Sequence, residues 1–326
     1  MHITVVSPVY NDWVSLGQLI QEVDVAEGLS DVRINMIIVD DGSTDKSGAA
    51  LLPRRLCRIE AVEVIELATN LGHQRAIAVG LVHCEKHHQT DAVIVMDADG
   101  EDRPEEIRNL IKAWNADPDA VICAQRARRS EGSVFRVYYQ VYKLAFRLLT
   151  GATIDFGNFC LIPRKLLQYV THNGNTWNNL AAGLVRSRLP AKRIATVRGV
   201  RYAGQSRMNL ISLILHGLSA IAVYCDVALA RLLLLMIGVS VISLFCVLVV
   251  VLLRLFTDLA MPGWASDVIG SLLIIVLQSV IFSSISVFLL LNNRSAGTII
   301  PSAEAERYIA DVRKIQINTT PVSAAS

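Results

Sequence analysis

Charge is scarce in this chain of 326 residues: Asp, Glu, Lys and Arg make up 18% of it, against roughly 25% in ordinary soluble domains. Either the core is unusually large or part of the chain faces lipid. Neither sign dominates. With 31 Lys and Arg against 29 Asp and Glu, the formal net charge is only +2. That argues against a protein that coats a polyanion and sets nucleic acid aside as a partner, although a local basic patch is still allowed. Cys-x-x-Cys pairs are absent. The six cysteines, Cys57, Cys84, Cys123, Cys160, Cys225 and Cys246, are scattered and read as small hydrophobes in a reducing compartment. Internal repeats and low-complexity tracts are also lacking, and Met1–Val6 has no basic start leading into the apolar stretch of a cleaved signal peptide.

What the chain has instead is hydrophobic surplus, concentrated near its end. From Leu232 to Leu253 there is no charged residue, and about 20 apolar residues suffice to cross the hydrocarbon core of a bilayer. Summed over its Leu, Ile, Val and Phe residues, the insertion term is of order −5 to −10 kcal/mol. A second uncharged run, Val268 to Leu291, carries Gln278 and several serines, which are expected to face the first span and hydrogen-bond there. The connector from Arg254 to Asp267 holds Pro262, Gly263 and Trp264, so the two runs predict a helical hairpin. Basic residues place both termini on the cytoplasmic side: the connector offers only Arg254, while Arg231, Arg294, Arg307, Arg313 and Lys314 flank the other ends. Residues from Ile317 to Ser326 read as a disordered tail.

The first two hundred residues follow a different pattern. Short β-branched runs recur at Ile3–Val6, Ile34–Val39, Val62–Ile65, Ala92–Met96 and Ala120–Ala124, separated by helical periodicity at Leu16–Val23 and Glu105–Trp114. Strands alternating with helices predict an α/β domain with a mixed, mostly parallel sheet covered on both faces. In such sheets ligands bind beyond the carboxyl ends of the strands, and the polar clusters sit there. Asp97 and Asp99, two apart after an apolar strand, can direct oxygens at a hard cation, Mg²⁺ or Mn²⁺, that also takes diphosphate oxygens. Asp-x-Asp occurs equally as a loop-capping pair, and its place after Val93–Met96 favours the ligand reading. Asp40 and Asp41 are either turn formers or hydrogen-bonding partners of a base and ribose. Gly42 would keep the backbone close to a ligand, and His73 reads as a polar residue at a helix start.

Four motifs in order carry a family resemblance: Ser7-Pro8-Val9-Tyr10-Asn11, Asp40-Asp41-Gly42-Ser43-Thr44-Asp45, Asn70-Leu71-Gly72-His73-Gln74, and the run from Asp97 to Glu105. Over roughly residues 1–210 the chain resembles the family 2 glycosyltransferases of the GT-A fold, and within them the polyprenyl-phosphate branch that holds dolichol-phosphate mannose synthase and its bacterial two-span relatives. The resemblance implies a GT-A nucleotide-sugar-binding domain at 1–208 and an interfacial helix at 209–230. Two transmembrane helices at about 232–253 and 268–291 within 231–293, and a cytoplasmic C-terminal tail at 294–326, complete the layout. It also implies that Pro8, Tyr10, Asn11, Asp40, Asp41 and Asp97 hold the nucleotide sugar, and that Asp99, with Asp97, binds the divalent metal.

One departure stands out. After Ile154-Asp155-Phe156-Gly157, many relatives place an acid where this chain has Asn158. A phosphate monoester has a second pKa near 6 and is mostly dianionic at pH 7, so it needs positioning more than deprotonation. Asn158 can donate a hydrogen bond to such an acceptor, with Asp155 as the alternative base. Cations for the acceptor phosphate are Arg126, Arg129, Arg201 and Arg207, with Ser206, the last three in a segment resembling the family's Arg-x-x-Gly-Glu-Ser-Lys. The apolar stripe from Val134 to Leu149 fits either a bilayer interface or the sheet.

The resemblance therefore implies an inverting enzyme of the bacterial inner membrane. It would move a hexose-type sugar, from a UDP-sugar in the first instance, to polyprenyl (undecaprenyl) phosphate for envelope glycan modification, with homotetramers known in the family. A GDP-mannose-using mannose synthase and a catalytically impaired nucleotide-sugar-binding scaffold are the alternatives. No Gln-x-x-Arg-Trp is present to suggest a processive polysaccharide synthase.

Overall fold

A computed structural model describes residues 1–29, 31–45, 48–126, 133–203, 217–257, 263–295 and 297–319. The chain divides into two compact units: one of Met1–Tyr138, Thr153–Val223 and the residues from Thr298 onward, the other of Tyr139–Ala152 and Tyr224–Gly297.

The first unit is built on an eight-stranded sheet. Its strands are β1 (His2–Val9), β2 (Arg33–Asp40), β4 (Ile59–Leu67), β5 (Ala92–Val95), β6 (Val121–Arg126), β7 (Cys160–Pro163), β8 (Ala191–Thr196) and β9 (Ile309–Ile315), in the order β8-β6-β7-β5-β1-β2-β4-β9. Two-residue β3 (Arg55–Leu56) pairs separately with β10 (Asn318–Thr319). Only β7 and β9 run antiparallel to their neighbours, so the mixed, mostly parallel sheet is as expected. Central β1 is buried along nearly its whole length, which is why it reads as a continuous apolar run.

Alternate side chains feed two core layers. Val5, Met36, Ile38, Val64 and Ile94 enter one with α1 (Trp13–Val25) and α3 (Ile107–Ala116). Val6, Ile37, Val39, Ile65 and Val95 enter the other with α2 (His73–His87), α5 (Arg164–Thr171) and α6 (Leu180–Ser187).

β9 lies in the segment that the sequence assigns to a tail. It pairs antiparallel with β4, Glu63 opposite Lys314 and Ile65 opposite Val312, so the sheet draws on residues well beyond 208. Its period is hard to see because it is an edge strand, exposed over most of its length and charged at Asp311, Arg313 and Lys314, the composition that keeps sheet edges from pairing with other chains.

The second unit contains α7 (Cys225–Phe256) and α8 (Trp264–Ser295), each 32 residues long. Both are long and apolar enough to span a membrane. Each outruns the uncharged stretch inside it, since a helix need not stop where its apolar run does. Ser243, Ser279 and Ser286 are buried, but Gln278 and Ser284 are exposed, so the polar residues of the second run do not all face inward as expected. The Ser284 hydroxyl donates to its own helix at Val280 O, 2.9 Å away, which removes its need for a partner. Of the expected interfacial segment, residues 217–222 are helical and 209–216 lie outside the described residues. The latter part of α4 (Ser133–Thr150) belongs to this second unit. There Phe146 packs edge-on against Tyr224 at 5.8 Å, and Arg231 donates to Leu148 O at 2.7 Å, a cation at a helix C-terminus.

Candidate active site

The carboxyl ends of β1, β2, β4 and β5 carry the loops that the sequence singled out. Asn11, just past β1, adopts a positive φ of 50°, which asparagine tolerates better than most residues. Its Oδ1 accepts from the backbone N–H of Thr44 (2.9 Å) and Asp45 (3.1 Å), and its own N–H donates to Ser43 Oγ at 2.9 Å. It therefore ties the first loop to the second. Asp40 accepts from Ser43 N–H at 2.9 Å, closing the turn after β2. Asp41 accepts from Leu71 N–H at 2.7 Å and Gly72 N–H at 3.0 Å, locking the second loop to the third. Burial pushes the Asp41 carboxyl above its ordinary value, against the pull of those two N–H groups.

Of the two readings left open for this pair, the hydrogen bonds place both carboxylates on loop backbone. Gly42 is close to backbone rather than to an open cleft: at its φ of +72°, a Cβ would lie 2.9 Å from Asn70 N. Pro8 is buried within β1 opposite Val39, whereas Tyr10 is 42% exposed at the strand's end.

After β5 the Asp-x-Asp loop is pinned from two directions. Asp97 N–H donates to Asp102 Oδ2 at 3.1 Å, and Glu101 N–H donates to Asp99 Oδ1 at 3.0 Å. The segment around 198–202 lies over this loop. Tyr202 N–H donates to Asp99 O, Gly199 N–H donates to Glu101 O, and Arg198 pairs with Glu101 at 2.6 Å. Gly100, φ +85°, has the Tyr202 ring where a Cβ would sit, 2.6 Å away, so a side chain there would displace the cover. Arg201 bridges Asp99 (3.3 Å) and Asp12 (3.4 Å), while its buried Nε has no hydrogen bond among the described residues. Burial and then the Asp97 charge raise the Asp99 carboxyl above its usual range, with Arg201 pulling back. Two close, partly buried carboxylates that oppose each other's ionisation are an oxygen donor set suited to a hard divalent cation.

His73 opens α2 beside these acids, its Nε2 3.2 Å from Asp97 Oδ1. Burial opposes its charge, but Asp97, Asp99 and Asp102 outweigh that and raise its pKa. The same Nε2 is 3.0 Å from Asn158 Nδ2. Asn158 Oδ1 in turn accepts from Gln74 Nε2 at 3.0 Å, and Gln74 Oε1 accepts from Leu180 N–H at 2.8 Å. A backbone N–H can only donate, so it fixes the Gln74 amide, which fixes the Asn158 amide, which presents its NH₂ to His73. One imidazole nitrogen thus faces a carboxylate that favours its proton and an amide donor that favours its lone pair.

Asp155 is engaged elsewhere, accepting from Gln125 at 2.9 Å and pairing with Arg193 at 2.9 Å; no described hydrogen bond joins it to the His73 network. Among the acceptor cations, Arg129, Ser206 and Arg207 and the Arg126 side chain lie outside the described residues, and Arg201 sits on Asp99. The sequence placed His73 and Gln74 in one of the four site loops but read His73 as a polar residue at a helix start, gave Gln74 no role of its own, and missed Asp12. The one available signal was His73-Gln74 directly after a Gly at the mouth of the third strand.

The chain is similar to known proteins. The family model described as Glycosyl transferase family 2 matches residues 4–171. The chain is 30% identical over 83% of its length to the uncharacterized glycosyltransferase YkcC of Bacillus subtilis (strain 168), covering 83% of that protein. It is 34% identical over 48% of its length to an undecaprenyl-phosphate 4-deoxy-4-formamido-L-arabinose transferase of Pseudomonas syringae pv. syringae (strain B728a), and spans 45% of that relative's length. A crystal structure of glucosyl-3-phosphoglycerate synthase from Mycobacterium tuberculosis with Mn²⁺, UDP-glucose and phosphoglyceric acid superposes at a TM-score of 0.47 with 18% identity, over 71% of this chain and 79% of that one.

Proposed function

We propose, from the premise that this chain belongs to glycosyl transferase family 2 and is a glycosyltransferase, that it moves a sugar from a nucleoside diphosphate donor to the phosphate of a membrane polyisoprenol, with inversion. The observation that carries this reading is the cluster of Asp97, Asp99, Arg201 and His73 at the carboxyl edge of the sheet. The likeness to undecaprenyl-phosphate sugar transferases supports the acceptor class, and the two apolar helices support its delivery from a bilayer. On this reading 1–208, together with β9, is a catalytic domain of the GT-A kind. Residues 209–230 are juxtamembrane, 231–293 the hairpin, and the setting a bacterial inner membrane. UDP-sugars are the first donors to try.

Asp99 and Asp97 would hold a divalent cation, Mg²⁺ or Mn²⁺, which when bound supplies charge stabilisation to the departing diphosphate. Arg201, held against Asp99 and Asp12, carries guanidinium N–H groups of the kind that grip phosphate oxygens. Tyr10, exposed beside Asn11, offers its ring to the nucleoside. Asn158 donates to the acceptor or holds His73 in register; it need not remove a proton, because the acceptor phosphate is already mostly dianionic at pH 7. Arg126, Arg129, Ser206 and Arg207 complete the acceptor's cationic surroundings. Catalysis is then alignment and preorganised charge.

The test is nucleoside diphosphate release by the full chain in detergent, with divalent metal, with and without undecaprenyl phosphate. Release that requires the lipid, and its loss by at least about 10³-fold in Asp99→Ala, is the expected result. Asn158 favours a second reading, a non-catalytic nucleotide-sugar-binding scaffold. Donor binding without turnover of any common activated sugar would establish that reading and remove the first.

A further inference from the structure

At its far end, α2 carries a second cluster of chemistry-bearing side chains. His83 and His87 are one helical turn apart with ring centroids 4.6 Å from each other, and His88 follows at the helix cap. Beneath them β4 presents Glu63, whose Oε2 lies 2.6 Å from His88 Nε2 and 3.5 Å from His83 Nε2. The ligand atoms of Glu63, His83 and His88 all lie within 4.8 Å of one another.

Burial separates this cluster from an ordinary surface ion pair. The His83 and Glu63 side chains are 7% and 8% exposed. His83 Nε2 is buried and meets the Glu63 carboxylate at the long distance of 3.5 Å. The cluster opens onto a recess of about 530 Å³, also lined by His87, Glu306 and Ile309, in which Glu306 is paired with Lys86 at 3.0 Å. At 1.5 Å per residue, His83 is about 15 Å along α2 from His73, so this recess lies toward the opposite end of the helix from the Asp-x-Asp loop.

We propose that Glu63, His83 and His88 form a site for a divalent first-row transition metal of the zinc class, with its fourth position facing the recess and open to water or an exogenous ligand. The donor set is the basis. Two imidazoles and one carboxylate suit Zn²⁺, whereas Mg²⁺ takes oxygen ligands. The geometry agrees: tetrahedral bonds of about 2.0–2.1 Å set ligand atoms roughly 3.4 Å apart, and the separations of Glu63 Oε2 from His88 Nε2 and His83 Nε2, 2.6 and 3.5 Å, bracket that value. A small outward movement of His88, the most exposed of the three, completes the fit. The ion would replace the long contact of His83 Nε2 with Glu63 by a direct bond and clip the end of α2 to β4, beside β9.

Tag-free full-length protein in detergent, held in excess Mg²⁺ to occupy oxygen-only sites, is titrated with Zn²⁺ and separately with Co²⁺. One equivalent bound, with the visible ligand-field bands of tetrahedral Co²⁺, is expected. Affinity should fall on the order of 100-fold in His83→Ala and in Glu63→Gln and stay unchanged in Asp97→Asn. Should the buried variants fail to fold, His88→Ala, at a partly exposed position, carries the same expectation, with thermal melting of the metal-free protein as the check on folding. Absence of stoichiometric binding, octahedral Co²⁺ spectra, or undiminished binding in a folded cluster variant overturns the assignment and leaves a buried carboxylate–imidazole pair.

Discussion

Asn158 is where one side chain decides the state of its neighbours. It sits between the half-exposed imidazole of His73 and the buried amide of Gln74, so Asn158→Ala would strip a partner from each. The expected cost is about 1–3 kcal/mol of stability and a slowing of transfer on the order of 10- to 100-fold through lost alignment. Thermal melts and initial rates measure the two, and Gln74→Ala should reproduce the rate loss. A wild-type rate in both variants would show that the relay plays no part.

The cysteines give a second test at this scale. Burial drives the Cys84 and Cys123 thiols up to about 12 and Cys160 well above its usual value, so little thiolate exists there at neutral pH. Cys57 is exposed. Maleimide followed by peptide mapping should label Cys57 first among the cysteines of the sheet unit and leave Cys84, Cys123 and Cys160 unmodified until the protein unfolds. The sequence displayed these residue types and their settings, which is why Asp97 and Asp99 stood out after an apolar strand and Asn158 as a departure from the family's acid. It could not display which oxygen meets which N–H, and Asp41 bonding to Leu71 and Gly72, 30 and 31 residues away, leaves no local pattern.

Among the elements, the strands with continuous apolar runs were legible because both of their faces are covered. β1, β2, β4, β5 and β6 all fall on the expected stretches to within a few residues at either end. β9 was not, since an edge strand needs only an intermittent apolar face. Its pairing with β4 and the burial of Ala305 just before it nevertheless make it part of the core's boundary. Truncation after Gly297 is therefore expected to uncover the β4 edge, lower the melting temperature and produce higher-order species on size exclusion, since an open strand edge pairs with other chains. An unchanged melt and a monodisperse profile matching the full chain would mean β9 is dispensable.

For the whole molecule, the two long helices leave most of their apolar surface uncovered, with Leu234, Leu235, Phe245, Phe282 and Phe288 among the exposed side chains. Exposure on that scale is untenable in water, so the full chain should sediment with membranes, resist alkaline carbonate extraction and come out with detergent. Recovery in the carbonate supernatant would contradict the hairpin. The sequence displayed the two long helices plainly, because their signal is length and uniform apolarity. The return of the chain to the sheet afterwards was hidden. That return has a consequence for biogenesis. A ribosome finishes β9 only after it has made both long helices, so the sheet stays incomplete while they are synthesised. Because the strands on either side of the two long helices belong to one sheet, a chain whose ends were held on opposite sides of a bilayer could not complete that sheet.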